Sequence, residues 1–208
     1  MTRGNQTPRP IRVCVVSILL SIGFGLVGAS LSRIAAQDLR LSGTIGFSTR
    51  MADGKQWMAH NLNVEAVPSY CDGDAERNCR QYGRLYTWES ARRACQSLGD
   101  GWRLPTDDEW RQLAKRYGGI REDSNDNGNA AFHALLIAAS SGFRALLGGG
   151  RSPDGQYARL DAHGFYWTAS ESDAAGAIFY NFAKGSLSFN RQTGGEKQSA
   201  FSVRCVRE

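Results

Sequence analysis

Four cysteines, Cys71, Cys79, Cys95 and Cys205, constrain this chain more than any other feature. In an oxidising compartment an even set reads as a disulfide framework; in a reducing one it reads as buried thiols or a metal site. The compartment is therefore the first question, and the N-terminus speaks to it. Met1 to Arg12 is polar and carries arginines, and an uncharged, mostly apolar run of 19 residues follows from Val13 to Leu31. Basic residues ahead of such a run are the signature of an export signal, because the arginines stay cytoplasmic while the apolar stretch enters the bilayer. The run is long for a cleaved signal and just long enough to span as a helix. Gly23, Gly25 and Gly28 weaken it as a permanent anchor, and Ile34-Ala35-Ala36 before Gln37 suits cleavage. Residues 1–36 are read as a signal peptide or N-terminal membrane anchor. Residues 37–208 are read as one domain in an extracytoplasmic space, whether secreted, periplasmic or tethered through residues 13–31. Cys14 lies at the very start of the apolar run rather than after it, where a lipid-anchored cysteine would be.

The same leader explains the charge. The chain carries 25 basic and 20 acidic residues, a formal net charge of +5. Arg3, Arg9, Arg12 and Arg33 belong to the acid-free leader, so 25 − 4 = 21 basic against 20 acidic residues remain, or +1. A domain so nearly neutral carries no electrostatic footprint for nucleic acid. With 208 residues it is long enough to bury a substantial core.

Four cysteines allow three pairings. Cys71 and Cys79 enclose a short polar loop, Asp72-Gly73-Asp74-Ala75-Glu76-Arg77-Asn78, and their pairing leaves Cys95 for Cys205. Trp88, Ala91, Cys95 and Leu98 recur at helical spacing behind Thr87 as N-cap, with Gly99 as the stop, so Cys95 faces inward. In the terminal segment Phe201, Val203 and Cys205 share one face by period two, with Ser202 and Arg204 opposite. A loop of that length contributes roughly 4 to 5 kcal/mol in the chain-entropy account.

Elsewhere, Asp38 to Thr49 reads as a linker or first strand, and Asp53-Gly54 as a hairpin turn between Ser48–Met51 and Trp57–Val64. Thr106-Asp107-Asp108-Glu109 is a capping box opening a helix that buries Trp110, Leu113, Ala114 and Tyr117 and ends at Gly118-Gly119. A third helix is expected over Ala130 to Ala139, with Phe132, Leu135, Leu136 and Ala139 inward. From Phe143 onward short strands alternate with Gly-rich turns: Phe165–Ala169, Ile178–Phe182, Leu187–Asn190 and Ala200–Val206. Helices followed by an antiparallel sheet make an α+β domain, with two to three helices packed on small antiparallel sheets.

The catalytic inventory is thin. His60, His133 and His163 lie in separate segments, no G-x-S-x-G elbow occurs, and Gly148-Gly149-Gly150 lacks the Lys-Ser/Thr of a phosphate loop. Asp123-Ser124-Asn125-Asp126-Asn127-Gly128 matches the opening of a calcium loop, making Asp123, Asn125 and Asn127 candidate ligands. The closing glutamate fails, because the twelfth position is Ala134, and the competing reading is a turn with Asn129 capping the next helix. Of Trp57, Trp88, Trp102, Trp110 and Trp167, which could stack sugars, Trp88 and Trp110 fall on apolar helix faces. Glu171, Asp173, Tyr180, Asn181, Asn190 and Arg191 bring polar and aromatic groups near Gly-rich turns and are the candidate ligand surface, set against a solvated sheet edge.

Five motifs carry a family resemblance. Trp57-Met58-Ala59-His60-Asn61-Leu62-Asn63, Tyr82-Gly83-Arg84-Leu85-Tyr86-Thr87-Trp88 and the run from Gly101 to Trp110 come first, then Phe165 to Glu171 and Phe201 to Val206. In that order, over roughly Ile45 to Glu208, the chain resembles the Fibrobacter succinogenes major paralogous domain family. That family is similar in turn to the C-type lectin-like group, in which a helix ending in cysteine pairs with a cysteine in the final strand. The resemblance implies a disulfide-braced scaffold displaying variable loops. It implies no sugar binding, since the Glu-Pro-Asn, Gln-Pro-Asp and Trp-Asn-Asp motifs of calcium-dependent lectins do not occur in this sequence. Formylglycine-generating enzymes share a related scaffold, but their active-site cysteine pair has no counterpart here.

The expectation is an exported, non-catalytic binding module of the bacterial envelope or surface, taking an extracellular polysaccharide or protein. It needs no cofactor unless the Asp123 loop takes calcium. An extracytoplasmic enzyme of the formylglycine-generating kind and a structural envelope component are the alternatives.

Overall fold

Asp53 and Gly54 reverse the chain as expected. The Asp53 carboxylate accepts from the Lys55 amide (3.1 Å) and the Trp57 indole (2.9 Å), so the turn is tied to the strand that follows it. The computed structural model describes residues 48–136 and 140–208. The leader over residues 1–36, the linker or strand expected before Ser48, and Ala139 lie outside these. Among the described residues no helix is long and apolar enough to cross a membrane.

The turn joins β1 (Ser48–Arg50) to β2 (Gln56–Met58), and the terminal strand β10 (Val206–Arg207) pairs with the other edge of β2. Both ends of the domain thus meet in one three-stranded sheet. β3 (Ser69–Tyr70) pairs with β4 (Leu85–Tyr86). The largest sheet has five strands: β5 (Gly148–Arg151), β6 (Tyr157–Leu160), β7 (His163–Glu171), β8 (Gly176–Ala183) and β9 (Ser188–Glu196). Their order is β6-β5-β7-β8-β9, antiparallel except for a parallel contact between β5 and β7 at Gly149 and Gly164.

Four α-helices occur among the described residues: α1 (Glu76–Tyr82), α2 (Trp88–Gln96), α3 (Asp107–Lys115) and α4 (Asn129–Leu135). The α+β expectation holds, with one helix more than expected. α1 occupies much of what read as a polar cysteine loop; its only buried residues, Cys79 and Tyr82, are three apart, a stripe too narrow for periodicity to register. α3 carries the full capping box, with the Glu109 amide donating to Thr106 Oγ1 and the Glu109 carboxylate accepting from the Thr106 amide. α4 stops at Leu135, earlier than the pattern suggested, because Leu136 turns extended and bridges Ala145. Tyr117 is only half-buried.

Both disulfides form, Cys71 with Cys79 and Cys95 with Cys205. The second joins α2 to the terminal segment across 110 positions. That segment is not one continuous strand. It touches several neighbours by single bridges, Tyr86 with Phe201, Tyr166 with Ser202 and Arg103 with Val206.

Two buried clusters flank the central strands. One gathers Trp57, Trp110, Phe143, Tyr166, Tyr180, Phe182 and Phe189; the other gathers Met58, Trp88, Cys95, Trp102, Trp167 and Cys205. Trp57 and Met58, Tyr166 and Trp167, and Cys205 and Val206 divide between the two, because successive strand residues point to opposite faces. Ser202 and Arg204, expected opposite a buried face, are therefore fully buried as well. Trp110 is the hub of the first cluster, stacked on Tyr180 at 5.4 Å and edge-on to Trp57 at 5.0 Å. Truncating such a side chain costs about 3 to 5 kcal/mol.

Candidate functional site

All five tryptophans are buried, so none offers a stacking face to solvent. The six residues expected to form a ligand surface fall into three groups: Glu171 with Asp173, Tyr180 opposite Arg191, and Asn181 opposite Asn190. Glu171 is exposed and pairs with Lys197 at 2.7 Å, and Asp173, also exposed, accepts from the Ala175 and Gly176 amides at 2.8 Å. Tyr180 is fully buried, contrary to the exposure expected of it: its ring packs on Trp110 and its hydroxyl lies 3.0 Å from the Asp107 carboxylate. Arg191 grips the same carboxylate through Nε (2.8 Å) and Nη2 (2.7 Å). Burial and the Asp107 charge both push the Tyr180 hydroxyl above its usual range. Asn181 is half-buried beside His163 at 3.0 Å, and Asn190 is buried, donating to Ser188. Tyr180 and Asn190 are thus buried on opposite faces of the sheet, since Tyr180 lies opposite Arg191 and Asn181 opposite Asn190 in the β8–β9 register, and both faces are covered here.

In the Asp123 loop the two aspartates find partners within the protein. Asp123 meets Arg111 in a two-pronged pair at 2.5 and 2.6 Å. Asp126, rather than Asn129, caps α4 by accepting from the Gly128 (3.0 Å) and Ala130 (2.8 Å) amides. Gly128 has φ +73, and a Cβ there would lie 2.7 Å from the Phe189 carbonyl, so the glycine serves close packing against β9. The Asn129 amide donates to the Leu187 carbonyl instead. Asp123 and Asp126 are thus both engaged by groups of the protein itself. Cys71, Glu76 and Cys79 also come together, within 4.8 Å, but both sulfurs belong to a disulfide.

At the start of α3, Arg103 meets both oxygens of Glu109 at 2.7 Å and reaches Glu208 at 2.9 Å; Lys55 lies 2.6 Å from Glu208. Burial alone would raise the Glu109 carboxyl, but Arg103, the Thr106 amide and Lys55 together outweigh it and hold the group down to about 2. This is a clasp between the first hairpin, a helix start and the C-terminus.

The concavity with the makings of a site lies elsewhere. A cavity of about 460 Å³ is walled by Phe132, Leu136, Ala145, Leu146, Leu147 and Leu187, with Tyr82, Asp161 and Lys184 supplying polar groups. Tyr82 donates to Asp161 at 2.6 Å and accepts from Gln81 at 2.9 Å. Burial, then Asp161, pushes the Tyr82 hydroxyl up to about 12, so it stays a donor at neutral pH. Leu187 is an exposed leucine at φ +49, and Asp161 sits at φ +59.

Two walls of this cavity are held by one buried network around Arg204. Its Nε donates to Asn61 Oδ1 (2.7 Å), its Nη1 to the Met58 (2.8 Å) and Phe143 carbonyls, and its Nη2 to the Arg144 carbonyl (2.6 Å). Asn61 donates on to the Tyr82 carbonyl (2.8 Å), and Tyr166 Oη accepts from the Leu146 amide (2.8 Å) while lying 3.0 Å from Asn61 Oδ1. Burial lowers the Arg204 guanidinium to about 10, which still leaves it charged at neutral pH. Sequence reasoning missed Tyr82, Asp161 and Arg204 as site-building residues, although Tyr82 and Arg204 stand in the motifs that carry the family resemblance.

In comparison with known proteins, residues 49–207 match the family described as the Fibrobacter succinogenes major domain. No match was found among curated proteins or among solved structures.

Proposed function

Because the chain belongs to the Fibrobacter succinogenes major domain family, we propose that it is an exported, non-catalytic binding module of the cell envelope, whose cavity beside Tyr82 takes an apolar side chain of an extracellular protein. The two disulfides support an oxidising compartment, and the arginine-bearing, acid-free leader supports export. A lectin-like arrangement is favoured by the bond from α2 to the terminal segment and by the meeting of both domain ends in one sheet.

The observation that carries the reading is Leu187. An apolar residue kept in the left-handed region and left 42% exposed costs backbone energy while its burial stays incomplete. Its place on the rim of an apolar cavity supplies the reason, since a ligand would complete its burial. Apolar walls with a few converging polar groups are the usual build of a binding pocket. Tyr82, Asp161 and Lys184 would orient the polar end of the ligand.

Asparagine tolerates a left-handed backbone better than leucine, so Leu187→Asn is expected to fold at least as stably as the parent. Peptides selected from a random display library against the full chain should carry an apolar anchor and lose at least tenfold affinity for this variant. Selected peptides that bind both forms equally would overturn the assignment of the cavity.

A further inference from the structure

A second recess, sharing no lining residue with the first, opens beside β5 and β6. It encloses about 280 Å³, and its lining includes Phe165, Phe201, Ala158, Gly150, Arg159 and Ser199. The phenylalanine rings lie 5.2 Å apart, tilted by 40°, and both are half-buried, so they form a floor that still meets solvent. Gly150 makes this packing fit: a Cβ there would stand 3.0 Å from each ring. Such a floor matches a ligand with a flat apolar face.

The rim is polar. Ser199, 7% exposed, brings a hydroxyl to the lining, beside the polar Ser152 and Gln156. The Arg159 guanidinium is exposed and has no ion pair among the described residues, although its backbone is held at φ +70. Arg151 also lines the recess, with its guanidinium 4.1 Å from the centre of the Tyr70 ring and its Nε buried without a partner. The lining holds two guanidinium groups; the Asp154 carboxylate, bonded to the lining Ser152, acts on Arg151, and Arg159 is the cation left without an acidic partner among the described residues. An anion is therefore favoured, and a planar guanidinium suits a planar carboxylate.

A six-membered sugar ring bearing a carboxylate unites an apolar face, hydroxyls for Ser199 and a charge for Arg159. We propose that this recess binds a hexuronate residue of an acidic polysaccharide. The site is independent of the cavity beside Tyr82, so the module would hold a protein at one place and an acidic glycan at another.

The test is calorimetric titration of the full chain with a linear oligomer of hexuronic acid. Its carboxyl-reduced neutral counterpart and a polyglutamate peptide serve as comparison probes. The uronate oligomer should bind at least tenfold more tightly than either. Arg159→Asn, which suits the left-handed backbone, should weaken the uronate oligomer at least tenfold and leave the neutral oligomer unchanged. Phe165→Leu should weaken both sugars. Leu187→Asn should leave uronate binding intact, which separates this proposal from the protein-binding cavity. Equal binding of charged and neutral sugars, equal binding of polyglutamate, no binding of the uronate, or indifference to Arg159→Asn would each overturn it.

Discussion

Arg204 is sealed from solvent and held by carbonyl and amide oxygens of Asn61, Met58, Phe143 and Arg144, whereas Arg103 stands at the surface and meets the carboxylates of Glu109 and Glu208. Both tie together segments far apart in the chain. Arg103 does so through charges, in reach of water and salt. Arg204 does so through three backbone carbonyls and the Asn61 side-chain amide, so it dictates where the loop from Phe143 to Leu146 must run. A surface pair of charges holds elements near one another; a buried cation among carbonyls fixes their geometry.

The contrast breaks first at Arg204. Arg204→Met would leave several buried oxygens without donors and is expected to cost about 3 to 5 kcal/mol. Arg204→Lys, which keeps a charge and some donors, should cost less. Urea unfolding measures both, and a methionine variant within about 1 kcal/mol of the parent would deny the network its role.

Glu109→Gln comes next, with an expected loss of about 1.5 to 3 kcal/mol, the range for hydrogen bonds to charged groups. Its pH signature has a definite sign. The folded-state carboxyl lies at about 2 against an ordinary value of 4.5, so its stabilisation is complete above 4.5 and is lost as pH falls towards 2. Thermal midpoints of the parent should fall across that window, and the glutamine variant should show a shallower fall. Parallel curves would place the acid sensitivity elsewhere.

The smallest effect belongs to Arg111 and Asp123, the pair built from the calcium-like loop. Both are exposed or nearly so, and Arg111→Gln should cost no more than about 1 kcal/mol, shrinking further in high salt. A larger loss that persists in salt would mean that the loop depends on this pair as the core depends on Arg204.

Local signals were legible. The capping box of α3, the Asp53-Gly54 turn and the inward placement of Cys95 each depend on residues within a few positions of one another. Pairing of Cys95 with Cys205 could be read despite its span, because two short periodicities point both sulfurs inward. The candidate site was less legible. Tyr180 and Arg191 looked like surface groups because nothing nearby in sequence reveals Asp107, 73 and 84 positions away. The bonds made by Arg204 itself span 60 to 146 positions, and the Tyr82–Asp161 bond spans 79.

By itself, then, the sequence determined the α+β class, the disulfide framework and the family, since these depend on residue type, short spacing and motif order. Tertiary structure alone decided which polar groups are buried, which oxygens satisfy Arg204 and where the two cavities open. The physical reason is that hydrogen-bond partnership and burial belong to atoms brought together across the chain, and adjacent residues on a strand enter opposite environments.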